Sequence, residues 1–113
     1  MIAVGLCFAA HGVLAEDQDS FIAGVEDLPL MPGLREIPAA GTVFDSAGGR
    51  IVEAYAVGDV DEDAVMAFYK DSLPQLGWTI VDQTMFRRSG EILKLEFARA
   101  ATELTVHFSL SPE

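Results

Sequence analysis

Past residue 15 the chain has one histidine, no cysteine and a large excess of carboxylates, so any chemistry must come from few groups. His107 sits in "TELTVHFSL", where Leu104, Val106, Phe108 and Leu110 alternate with Glu103, Thr105, His107 and Ser109. Period-two alternation puts His107 and Ser109 on one wet face of a strand. A serine relay needs a nucleophile, a base and an orienting acid to converge, and no nucleophile-elbow pattern occurs in the chain. His107 therefore reads as a surface contact, not a catalyst.

The acids of "DVDED" place Asp59, Asp61 and Asp63 at the first, third and fifth positions of a calcium loop. Ala64 then stands where that loop needs glycine, and Lys70 where it needs glutamate. These carboxylates suit the start of a helix instead, with Asp59 and Glu62 at capping-box spacing. Ser46-Ala47-Gly48-Gly49 lacks the Lys-Ser/Thr of a phosphate loop and reads as a turn. No metal, no cofactor and no enzymatic activity are expected. Arg87 and Arg88, with Lys94 and Arg99, make the least acidic region and are candidates for gripping a partner. Tyr69 and Trp78 are candidates for lining a ligand. The net charge of −11 argues against nucleic acid, whose binders carry a basic footprint.

These residues need elements to hold them. Val65, Phe68, Tyr69, Ser72, Leu73 and Leu76 fall on one face of a helix. Pro74 ends that helix, Gly77 turns the chain, and Trp78 opens a strand, "WTIVDQ", as a plug over the corner. "TVFDSAGGRIVEAYAVG" reads as a hairpin before the helix. Short strands at Thr84 to Arg88, "EILKLEFARA" and "TELTVHFSL" follow it, with Ser89-Gly90 and Arg99 to Thr102 as turns. The expected fold is α+β and two-layer: an antiparallel sheet of four to five strands with one amphipathic helix on one face, in ββαβββ order.

Residues 1–15 are apolar, uncharged and end in Val13-Leu14-Ala15, which reads as the hydrophobic and cleavage regions of a signal peptide. The run is too short to span a bilayer, which takes about 20 residues. No membrane insertion is expected after cleavage, and Cys7 leaves with the leader. Residues 16–40 form an acidic tail and a Pro-rich extended segment whose apolar side chains tuck against the domain. Residues 41–113 form the α+β domain.

The pattern Asp27, Pro29, Pro32, Gly33, then Phe68, Tyr69, Leu73, Gly77 and Trp78 resembles a group of small uncharacterised exported bacterial proteins. The resemblance covers most of the chain past the leader. It implies the fold and a periplasmic location, and it carries no activity to transfer. The expected role is a protein-interaction or accessory module working through the wet sheet face with a protein partner. The alternative is a small-ligand or lipid carrier with its pocket between helix and sheet near Tyr69 and Trp78.

Overall fold

The computed structural model of the chain describes residues 21–25 and 27–113. The leader read at 1–15, with Cys7, lies outside the described residues. So does the acidic tail up to residue 20.

The described residues form seven strands in one antiparallel sheet, together with one α-helix. The strands are β1 (Arg35–Glu36), β2 (Thr42–Ser46), β3 (Gly49–Gly58), β4 (Thr79–Asp82), β5 (Met85–Arg88), β6 (Glu91–Ala100) and β7 (Glu103–Pro112). They lie in the order β1-β3-β7-β6-β5-β4, and β2 also pairs with β3. The two share one edge of β3: β2 covers Gly49 to Glu53, and β1 covers Ala56 and Val57. The α+β class and the antiparallel sheet agree with the sequence reading. The count and order do not: three strands precede the helix and four follow it, in place of four to five strands ordered ββαβββ. Two causes account for the difference. β1 is two residues long, too short to show any period. β4, kinked by a register shift between Ile80 and Asp82, lies within the strand read at "WTIVDQ", which the ββαβββ order leaves out of its count.

The helix α1 runs Glu62–Ser72. Asp61 holds the N-cap position without a side-chain cap bond, so the Asp59–Glu62 capping box does not form. Glu62 and Asp63 still place charge in the first turn, where the helix dipole favours it. At the other end Pro74 begins a short 3-10 turn, Pro74–Leu76, and Gly77 takes φ 96°, a left-handed value that a side chain resists. The chain reverses there, and the Trp78 amide donates to the Leu73 carbonyl at 3.1 Å. Trp78 itself caps the corner at 3% exposure, and β4 begins one residue later.

Val65 and Tyr69 of α1, with Leu73 at its C-cap, make the buried stripe. They pack on the inner face of the sheet, made by Val52, Ala54 and Ala56 of β3, Leu104 to Leu110 of β7 in alternation, and Leu93 and Leu95 of β6. Each Val, Leu or Phe among them contributes roughly 1.5–3 kcal/mol by leaving water, and the two alanines less. Ile22, Val25, Leu28 and Leu34, upstream of residue 41, are buried in this same core. The Pro-rich segment is thus a second cover for the inner face, beside α1. Tight reversals set the register. Ser89 (φ 50°) and Gly90 (φ 80°) form the two-residue turn between Arg88 and Glu91, the primed geometry that matches strand twist.

Candidate functional site

With α1 and the N-terminal segment on the inner face, the outer face carries the other half of each alternation. Cross-strand register then decides which of its residues meet. Tyr55 of β3 lies opposite His107 of β7, and His107 lies opposite Glu96 of β6. One rank along, Glu53, Ser109 and Lys94 align. One rank the other way, Val57, Thr105 and Ala98 align.

His107 is held on three sides. Its ring stacks flat on Tyr55, with centroids 4.4 Å apart and planes 3° from parallel. Its Nδ1 lies 3.1 Å from Glu96 Oε1, and its Nε2 meets Glu53 Oε1. The His107 side chain is 22% exposed, against 62% for Glu96. Far from standing free on an open sheet, the histidine is the centre of a carboxylate–imidazole–carboxylate cluster. Both ring nitrogens face carboxylates, so neither is directed at Ser109. Two acids against one imidazole leave the cluster negative whether the ring is neutral or charged.

Beside this cluster is an open hollow of about 600 Å³, lined by Tyr55, Glu96, Phe97, Ala98, Thr105 and His107. Ala98 and Thr105 are small, and the large residues of the neighbouring rank rise beside them. That difference in size makes the hollow. Its volume is within the ~300–1,000 Å³ usual for ligand sites.

The other candidate residues lie elsewhere. Tyr69 is in the inner layer with no exposure, edge-on to Phe108 at 5.5 Å between centroids. Its hydroxyl donates to the Pro29 carbonyl at 2.6 Å and accepts from the Met31 amide at 3.3 Å. Burial pushes its phenol well above the ordinary tyrosine range. Trp78 and Arg88 are brought together: the guanidinium lies 4.3 Å from the Trp78 ring centre. Arg88 also grips Asp27 with two nitrogens, at 2.7 and 3.2 Å, and donates to the Leu76 carbonyl at 2.9 Å. The hydrogen bonds from Arg88 hold the Asp27 carboxyl below its usual value. Arg87, on the outer face, pairs with Glu113 at 2.7 Å and stands apart from the His107 cluster.

Glu53, Tyr55 and Glu96 were not among the residues singled out from the sequence. Alternation marks Glu96 as wet, while Tyr55 belongs to the apolar run of β3 that only Glu53 interrupts. What could not be read was that β7 lies between β3 and β6, which brings the three onto one histidine.

A family model described as START domain-like matches residues 47–113. That span includes β3, α1 and β4 to β7, and with them the whole His107 cluster. Neither the search of curated proteins nor the search of solved structures finds a match.

Proposed function

The chain belongs to the START domain-like family, and from that premise we propose that it is a binding module without catalysis, working through the outer face of its sheet. The observation that carries this reading is the hollow at Tyr55, Ala98, Thr105 and His107. It lies on the sheet face opposite α1, next to the negative cluster. A partner seated there would meet two stacked rings, an exposed carboxylate and a small-residue floor. The apolar leader and the resemblance to small exported bacterial proteins support an exported, periplasmic setting for this role. Among the described residues no helix is long and apolar enough to cross a membrane.

The family match favours a second reading, a carrier of a small ligand or lipid between helix and sheet. Tyr69 and Trp78 would line that site. Both are packed against the core, at 0% and 3% exposure, so a ligand there requires α1 to lift from the sheet.

The chain's two lysines separate the readings. Lys94 is on the outer face, and Lys70 is on the exposed side of α1. Amine-reactive crosslinking in the protein's own cells, followed by peptide mapping and sequencing of the N-terminus, is the test. The outer-face reading expects adducts at Lys94 with Lys70 little modified. Adducts confined to Lys70, or a bound small molecule that perturbs Trp78 fluorescence, would favour the carrier. An N-terminus at Glu16 would support export, and an uncleaved Met1 would contradict it.

A further inference from the structure

We infer that the hollow beside His107 seats a basic side chain, arginine or lysine, presented by a partner protein. The inference rests on the outer-face reading above and names the chemistry of its partner. Three observations converge on it.

First, the wall of the hollow pairs an aromatic stack with a carboxylate. Tyr55 and His107 supply ring surface, and Glu96 supplies an anion whose side chain is 62% exposed. His107 Nδ1 engages Glu96 through Oε1. A carboxylate has about four acceptor positions, so that contact leaves capacity for an incoming N–H donor. Guanidinium and ammonium groups are the partners that both an aromatic ring and a carboxylate attract.

Second, the sign of charge is fixed locally and globally. Glu53 and Glu96 outnumber the single imidazole between them. The whole chain carries −11 and so steers a basic partner toward itself. Two outer-face cations flank it: Lys94, in the neighbouring rank opposite Ser109, and Arg35, opposite Val57 in the hollow's own rank and already paired with Glu103 at 3.2 Å.

Third, the shape suits a side chain delivered by a larger body. Free small molecules are held in sites that bury about 70–90% of their surface. This hollow lies open on a sheet face and cannot enclose one. The stem of a lysine or arginine could rest on Ala98 and Thr105 while the partner's own surface covers it. Ala98, with the half-buried Ile51 and Ile92 further along, offers apolar contact around such a body.

The test uses two short capped peptides, leucyl-arginyl-leucine and the same peptide with citrulline, which keeps the shape and removes the charge. Each is titrated into the ¹⁵N-labelled protein, beside free agmatine. The expected result is that the arginine peptide shifts the amides of Tyr55, Ala98, Thr105 and His107. The citrulline peptide and the Glu96→Gln variant should each weaken the shifts roughly fivefold, the upper range for one exposed ion pair. Equal binding of the citrulline peptide at these amides would overturn the basic class and leave the outer-face reading standing. Agmatine bound as tightly as the peptide would overturn the protein partner in favour of a small cation. No outer-face shift at millimolar arginine peptide would overturn the inference, and Lys94 crosslinking would then judge the outer-face reading separately.

Discussion

The Arg88 guanidinium lies over the Trp78 ring, 4.3 Å from its centre, while two of its nitrogens hold Asp27. One side chain thereby ties three parts of the chain together: β5, the corner that ends α1, and the N-terminal segment. Arg88→Ala should cost about 2 kcal/mol in urea unfolding, within the range for charge-assisted hydrogen bonds and a cation–ring contact. Arg88→Lys should recover less than half of that, because a point charge cannot pair in two places and stack. Equal stability of the alanine variant would show that the clamp is ornamental.

Asp27 gives the acid side of the same contact. Its carboxyl is depressed below the ordinary 3.8, first by its hydrogen bonds from Arg88. A depressed acid stabilises the fold above its ordinary value, and the effect is lost as pH falls through the folded value. The urea midpoint should therefore drop between pH 5 and pH 2. In Asp27→Asn that drop should be shallower. The carboxylate is about half exposed, so the difference will be small and will shrink in salt.

Tyr69 gives the alkaline side. Burial raises its phenol above the ordinary 10.0. The unfolded chain then loses this proton first, so stability is whole below pH 10 and declines as pH rises beyond it. Tyr69→Phe should flatten that decline. It should also cost about 1 kcal/mol at neutral pH, because the Pro29 carbonyl and the Met31 amide lose their partner. Amide exchange at Leu28 and Leu34 should quicken, since this hydroxyl fastens the N-terminal cover to α1.

Gly58 tests the other fastening of that segment. A methyl group there would collide with the Gly33 carbonyl oxygen, where the Pro32-Gly33 turn crosses the end of β3. Backbone on both sides leaves little room to yield. Gly58→Ala should destabilise by about 1–3 kcal/mol, the range for overpacking, read from the thermal midpoint. Gly90→Ala meets nothing within 4 Å and should cost only the strain of its φ of 80°.

Much of this fold was legible in the sequence, for reasons that differ by element. β6 and β7 show strict alternation because one face is buried and the other wet. α1 shows its stripe because it lies on something flat. Pro74, Gly77 and Trp78 announced the corner because each residue type has one dominant use there. β1 was invisible: two residues in a Pro-rich segment carry no period. The His107 cluster was half legible. Alternation assigns Glu96 and His107 to wet positions and Glu53 breaks the apolar run of β3, but Tyr55 reads as part of that run, and only the pairing of β3 and β6 on either side of β7 brings the four together. That pairing is a tertiary choice, fixed by the shared inner core and not by any local pattern. For the same reason Arg88 and Trp78, read as possible contact residues, turn out to touch each other.

The central claim is that binding occurs in the outer-face hollow, and filling that hollow tests it directly. The measurement is native mass spectrometry of the protein isolated from its own cells after crosslinking, with wild type beside Ala98→Trp and Ala67→Trp. Ala98 lines the hollow, and Ala67 lies on the exposed side of α1. The account predicts a partner mass on wild type and on Ala67→Trp that is missing from Ala98→Trp. A partner retained by Ala98→Trp and lost from Ala67→Trp would contradict it and place the binding surface on the helix side.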